Sequence, residues 1–175
     1  MKIDEFQENL YIWASENAGL QDCRVVWLDE ANPKLRKPFI GLKLIDGPDS
    51  RGFEPEIRWK KPDPKPTLSR QKRFTLSVNV YGRRALSVAD SLRDSLDIPT
   101  VYETFCRAGF SVVSVGLIRD LTELLDTKFE KRAQFDIGIL LASNTIFDLE
   151  AIEHATVGGT VNGNPVSPGV TADEP

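Results

Sequence analysis

Two stretches of alternating apolar and polar residues constrain the fold of this chain more than any other feature. In residues 73–81 every second side chain is apolar, which is the period of a strand with one buried face. Residues 129–143 repeat this alternation, with Phe135 and Ile137 among the apolar members. Because each strand has an apolar face, the chain must supply a second layer that covers it.

Helical stripes of apolar residues supply that layer. Residues 85–96 carry apolar side chains at helical spacing, directly after Gly82, which ends the first strand. Residues 2–18 predict an amphipathic helix closed by Gly19, and residues 101–108 predict a short helix closed by Gly109. The predicted fold class is α+β: a two-layer sandwich in which a mixed, mostly antiparallel β-sheet carries helices on one face.

Weaker local signals fill the remaining segments. Residues 23–28 and 39–45 predict two more strands, and residues 110–118 predict a β-rich segment with a bulge between Val112 and Val113. Residues 46–49 (DGPD) and 144–149 predict turns, and residues 152–157 predict a last edge strand. Two pairs with capping-box spacing, Thr100 with Glu103 and Asp120 with Glu123, predict helix starts.

The length of 175 residues suits one domain, predicted to span residues 1–157. Six of the eleven prolines fall between Pro38 and Pro66, so residues 46–69 predict a projecting Pro-rich β-arm. Residues 158–175 contain too few apolar side chains to fold alone, which predicts a flexible C-terminal tail.

Targeting signals are weak in this sequence. No apolar run approaches the length of a membrane helix, and the acidic N-terminus argues against a signal peptide, so we expect no membrane partner. Cys23 and Cys106 are expected to be buried free thiols, although a bridge between them stays possible.

The net charge of -4 is unevenly distributed along the chain. Residues 31–84 contain fourteen Lys/Arg against five Asp/Glu, and the remainder contains eight against twenty-one. This split indicates a basic sector and an acidic sector. They are either solvated loops or surfaces that bind copies of the protein or other partners.

Residues suited to catalysis are sparse. His154 is the one histidine and has no nucleophile motif around it, and the chain has neither a zinc-type Cys/His cluster nor a Gly-rich phosphate motif. We therefore expect no catalytic residue, no metal and no cofactor. The strongest enzymatic alternative is a metal-dependent nuclease, although a Pro-rich segment would hold its geometry poorly. Its candidate residues are Glu54, Glu56, Lys60, Asp63 and Lys65.

Two binding roles are further alternatives. Arg58, Trp59, Lys60 and Lys61 mix basic and aromatic side chains, as single-strand nucleic-acid binders do, but the isoelectric point of about 5.1 is unlike that of a dedicated DNA-binding domain. An adaptor that binds one partner through residues 46–69 is the other alternative.

In their order and spacing, the segments resemble the neck or tail-terminator proteins of long-tailed bacteriophages and related prophages. The resemblance covers roughly residues 69–157, with the N-terminal helix also in place. It rests on residues 73–82 (RFTLSVNVYG), 89–96, 98–99 (IP), 109–110 (GF), 119–122 (RDLT) and 129–136 (FEKRAQFD).

The resemblance implies a structural protein and not an enzyme. Tail-terminator proteins form a ring, typically a hexamer, at the head-proximal end of the tail tube. The ring ends tube polymerisation and joins the tail to the head-completion proteins, and genomic DNA passes through its lumen without being read. The expected location is the virion neck, after assembly in the host cytoplasm.

The polar face of the two alternating strands suits a subunit interface or a wet lumen. It comprises Thr75, Ser77, Asn79, Gln134 and Asp136. Charged residues of the arm and of both strands are the predicted contacts with other subunits or partners, since charge-complementary contacts can close around a ring. They are Arg58, Lys60, Lys61, Arg70, Lys72, Arg73, Arg132 and Asp136.

Overall fold

The structure, a computed structural model, describes residues 3–19, 23–29, 35–58, 65–125, 128–147, 159–161 and 164–166. The helices of this part are α1 (Ile3–Asn17), α2 (Ala85–Ser95) and α3 (Pro99–Arg107). The strands are β1 (Arg24–Trp27), β2 (Phe39–Arg58), β3 (Thr67–Tyr81), β4 (Phe110–Val115), β5 (Arg119–Asp120), β6 (Glu123–Leu125), β7 (Lys128–Glu130), β8 (Arg132–Ile146), β9 (Gly159–Val161) and β10 (Asn164–Val166).

The main sheet has the strand order β1-β2-β3-β8-β4, and β5 also pairs with β8. The pairing of β1 with β2 is parallel, whereas β2 with β3, β3 with β8 and β4 with β8 are antiparallel. Two small antiparallel sheets, β6 with β7 and β9 with β10, complete the described strands. This architecture confirms the predicted α+β class and its mixed, mostly antiparallel sheet.

The helices cover one face of the main sheet. The ring of Phe6 in α1 lies 5.2 Å from that of Phe74 in β3 and 5.2 Å from that of Phe110 in β4. The indole nitrogen of Trp13 donates a hydrogen bond to Oγ of Ser95 at 3.0 Å, which links α1 to the last turn of α2. The apolar side chains of β3 and β8 are buried beneath this layer, as their alternation predicts.

The helix predictions are confirmed except for one cap. Gly19 and Gly109 follow α1 and α3 with positive φ values of 64° and 83°, as helix-ending glycines do. The predicted capping box of Thr100 is wrong. Helix α3 begins at Pro99, whose fixed φ suits the first helical position, and Ile98 precedes it without a side-chain cap.

The predicted turn at residues 46–49 is wrong, because β2 continues through it to Arg58. The local irregularity is a register shift between Asp46 and Asp49, where Gly47 adopts a φ of 112°. A Cβ at Gly47 would lie 2.8 Å from the carbonyl oxygen of Arg73 on β3, which is too close for a side chain. The turn-type residues at this register shift bend a paired strand and do not reverse the chain.

Three other local predictions change and one is confirmed. Strand β8 extends to Ile146 because Thr67 of β3 pairs with it, so the turn predicted at 144–149 begins too early. The alternation of residues 129–143 is broken at Lys131, which separates β7 from β8. The helical turn predicted from Asp120 is wrong, since that residue ends β5. The bulge in β4 is confirmed as a register shift between Val112 and Ser114.

Asp120 instead forms a local turn with Thr122. Its Oδ1 accepts hydrogen bonds from the backbone amide and the hydroxyl of Thr122. These bonds lower the pKa of the Asp120 carboxyl, the hydroxyl contributing most. A side chain that bonds two residues ahead in this way competes with helix formation, which explains the failed prediction.

Several predictions fall outside the described residues. The tip of the Pro-rich segment, residues 59–64, is among them, so the projecting arm stays a prediction. The edge strand predicted at 152–157 and His154 also lie outside. Within the predicted C-terminal tail, β9 and β10 form a short ladder, and the division of the chain at residue 157 stays a prediction.

Cys23 and Cys106 are both free thiols. Cys23 is partly buried, and Cys106 is exposed, so the expected burial of Cys106 is wrong. Its neighbour Phe105 points into the core instead, since adjacent residues of a helix face different sides. Among the described helices, none has the length and apolar character needed to span a membrane.

Replacing Phe135 by Ala should lower the free energy of unfolding by about 3–5 kcal/mol, because its buried ring would leave a cavity. Phe129→Ala is the matched control, since the ring of Phe129 is 73% exposed, and should change stability by less than about 0.5 kcal/mol. Chemical denaturation of both variants checks this prediction, and equal losses of stability would contradict it.

Candidate functional site: the polar face of the sheet

The face of the main sheet opposite the helices is lined by polar side chains, and we call it the polar face. Strand alternation and the register of β2, β3 and β8 determine which residues belong to it. Its members in the centre of the sheet are Lys43, Arg73, Thr75, Ser77, Asn79, Tyr81, Arg132, Gln134 and Asp136.

Hydrogen bonds connect the polar face across β3 and β8. Oγ of Ser77 accepts a bond from Nε2 of Gln134 at 2.8 Å and a longer one from Nδ2 of Asn79 at 3.3 Å. The same amide nitrogen of Gln134 donates to Oδ1 of Asp136 at 3.2 Å. The side chains are therefore fixed by one another and are largely satisfied without a partner molecule.

Arg132 anchors one end of this network. Its Nη2 donates to Oδ1 of Asn79 at 2.8 Å, and its guanidinium carbon lies 5.2 Å from the ring centroid of Tyr81. Tyr81 in turn stacks on Phe39 of β2, with ring centroids 4.5 Å apart. Within the described part of the chain, the buried Nε of Arg132 has no hydrogen-bond partner. The guanidinium is thus held against β3 by one hydrogen bond and one cation–π contact.

Burial on the polar face comes from its own side chains. Ser77 and Asn79 are only 2% and 4% exposed, and the longer side chains bonded to them, Arg132 and Gln134, are partly buried. Polar groups buried to this degree need hydrogen-bond partners, and the network supplies them. The polar face is therefore a preformed surface that presents three cations, Lys43, Arg73 and Arg132, and one anion, Asp136.

The structure brings some of the predicted contact residues together and separates others. Arg132 and Asp136 belong to the network, and Arg73 lies on the same face. Strand alternation puts Arg70 and Lys72 on the opposite face. The three basic residues at the start of β3 therefore do not form one cluster, although the sequence prediction grouped them as contacts.

Arg58 lies at the far end of β2 and forms an ion pair with Glu56, with 2.6 Å between Nη2 and Oε2. The hydrogen bond from Arg58 lowers the pKa of the Glu56 carboxyl. This pair borders an open depression of about 380 Å³ whose other lining residues include Ser69 and Asn144, which are joined by a 2.9 Å hydrogen bond. Lys60 and Lys61 lie outside the described residues.

The nuclease alternative finds little geometric support. Glu56 is occupied by Arg58, whereas Lys60 and Asp63 lie outside the described residues. In the part of the chain that the structure describes, no group of three or more His, Cys, Asp or Glu residues could hold a metal ion.

The sequence reasoning missed the aromatic end of the polar face. Tyr81 continues the odd-numbered alternation of β3, so its membership could have been read from the pattern. The pairing of Tyr81 with Phe39 could not be predicted from the pattern, because this pairing depends on the register between β2 and β3.

An α+β domain with a preformed polar sheet face has the features of a protein that contacts other macromolecules. Comparison with known families makes this class specific: the family model of phage neck terminator proteins matches residues 4–164. The chain belongs to the phage neck terminator family, as its segment order had suggested. It is a structural component of the neck in the phage virion and assembles with other phage tail or head proteins. A comparison with curated proteins gives no match.

Replacing Asn79 by Ala should lower the free energy of unfolding by about 1–3 kcal/mol, because Arg132 would lose its buried acceptor. Asn144→Ala, on strand β8 that pairs with β3, is the matched control. Its side chain is exposed and its hydrogen bond with Ser69 competes with water, so the expected change is within about 0.5 kcal/mol. Denaturant titration compares the two, and an equally mild Asn79→Ala variant would show that the network contributes little to stability.

Proposed function

We propose that this protein forms a ring, with six copies as the expected number, at the head-proximal end of the phage tail tube. The ring ends polymerisation of the tube and joins the tail to the head-completion proteins. Genomic DNA passes through the lumen without being read, and the protein acts without catalysis. Assembly takes place in the host cytoplasm before the ring becomes part of the virion.

The observation that carries this proposal is the extent of the family match. Residues 4–164 include all three helices and every strand of the main sheet, so the whole folded unit belongs to the neck terminator class. The polar face supports the proposal because it is preformed and combines Arg132 and Asp136 with small polar groups. Such a surface suits either contact with a neighbouring subunit or a wet lumen.

The uneven charge of the chain supports a ring of identical subunits. A surface that attracts a different surface of the next copy makes a heterologous contact, and such contacts close into a ring when the rotation between copies is suitable. The basic surplus of residues 31–84 and the acidic surplus elsewhere provide two such surfaces.

The purified protein should form a discrete oligomer of about six times the 19.6 kDa chain mass. Mass photometry across a concentration series measures this directly. Added to polymerising tail-tube protein, the oligomer should shorten the tubes and cap one end in electron micrographs. A protein that stays monomeric at high concentration, both alone and with tube protein, would overturn the proposal.

Asp136→Asn tests whether the polar face contacts a neighbouring subunit. The substitution keeps an acceptor for Gln134 but removes the charge, so the stability of the fold should change little. Assembly should be weaker, and the oligomer should need a higher protein concentration to form. Asp97→Asn, an exposed change at the end of α2, is the control and should leave assembly intact. If both variants assemble as the unmodified protein does, the Asp136 carboxylate does not bind a neighbour's cation.

A further inference from the structure

A groove that shares Arg132 with the polar face combines positive charge with exposed apolar side chains. It has a volume of about 940 Å³ and lies between the start of α2 and the strands that precede β8. We call it the basic groove. Its cationic and apolar lining consists of Arg83, Arg84, Leu86, Phe129, Lys131 and Arg132.

The positive charge of the basic groove is available to a partner. Two acids also line it, Asp90 and Asp120, but the four cations outnumber them and leave a positive surplus. Arg83 and Arg84 are exposed and form no ion pair within the described residues. The groove therefore presents two unpaired guanidinium groups at its rim.

Apolar side chains lie beside these cations. Leu86 is 54% exposed and Phe129 is 73% exposed, and both line the groove. A large aromatic ring next to arginines is the composition of a protein-binding surface, in which the ring supplies buried area and the cations supply specificity. The partner that fits is an acidic surface that also carries exposed apolar groups.

The outer side of α1 has this complementary composition, and we call it the acidic stripe. It runs along the solvent side of the helix, and α1 contains no basic residue to offset it. Helical spacing places its members on one side, away from the buried Phe6, Leu10 and Trp13. They are Asp4, Glu8, Tyr11, Ile12 and Glu16, all of them exposed.

The basic groove and the acidic stripe lie near opposite ends of α2. Arg83 and Arg84 precede its first turn, whereas Ser95 in its last turn bonds to Trp13 of α1. Eleven helical residues separate these ends by about 15 Å. The two surfaces are therefore separate patches of one subunit, which suits a heterologous contact between successive copies in a ring.

We propose that the basic groove of one copy binds the acidic stripe on α1 of the next copy. This inference rests on the proposed ring and names the two surfaces that would form its subunit contact. Oppositely charged surfaces steer the copies into this arrangement, and Phe129 and Leu86 become buried against Tyr11 and Ile12.

Charge reversal on each side tests the contact. A groove variant, Arg83→Glu with Arg84→Glu, should remain monomeric at concentrations where the unmodified protein is assembled. A stripe variant, Glu8→Lys with Glu16→Lys, should do the same. Arg24→Glu with Arg36→Glu is the control for the groove variant, because it changes the net charge by the same amount and sign at exposed positions outside both surfaces. This control should assemble normally.

Mixing the two reversed variants gives the decisive result. Each reversed groove can then bind a reversed stripe, and each unmodified groove can bind an unmodified stripe, so alternating rings should form. Mass photometry of the 1:1 mixture measures the recovery. Circular dichroism of each variant verifies the fold, and Phe129→Ala should by itself raise the concentration for half-assembly by about tenfold or more.

The outcomes separate this inference from the ring itself. If the unmodified protein forms rings and both reversed variants also do, the groove–stripe contact is wrong and the ring stands. If each variant is monomeric and the 1:1 mixture also stays monomeric, the stripe is not the partner of the groove, and the proposed contact is wrong. If Phe129→Ala assembles normally, the groove is not buried in the ring. A protein that never assembles overturns both proposals.

Discussion

The antiparallel pairing of β3 with β8 is the constraint on which both surfaces of the sheet depend. Its partners run from Thr67 and Ile146 to Tyr81 and Arg132 without a single register shift. Because side chains alternate with a period of two, a slip by one residue would move Phe135 to the polar face and Gln134 into the core. The same register that completes the hydrophobic core therefore brings Arg132 to Asn79 and Gln134 to Ser77.

Much of the fold could be predicted because it follows from periodicity. Helices α1 and α2 and the core faces of β3 and β8 repeat over ten or more residues, so single exceptions do not hide them. The failures lie where a short signal competed with pairing to a distant strand. Gly47 and Pro48 carry a turn signal, yet the partner strand β3 holds them in a bulged extension of β2. Asp120 resembles a helix cap but bonds to Thr122 in a local turn.

The candidate sites were predictable to different degrees. Membership of the polar face follows from alternation, and Ser77, Asn79 and Asp136 were correctly placed on it. Their hydrogen-bond partners were not predictable, since they depend on a register between strands more than fifty residues apart in sequence. The basic groove was missed for the same reason: Arg83 lies far in sequence from Phe129 and Lys131, and only the fold brings them together. Alternation also shows that Arg70 and Arg73 lie on opposite faces of the sheet. A count of local charge does not distinguish the two faces.

The irregular edges of the sheet have a consequence for a structural protein of the phage neck. Among the described strands, β1 pairs only with the first residues of β2, so the rest of β2 forms an edge there. Register shifts break this edge near Gly47 and again between Arg51 and Glu56. On the other side, β4 carries its own bulge. Interrupted edges are poor templates for strand addition. Copies of the folded protein can then be concentrated without pairing edge to edge into a continuous sheet.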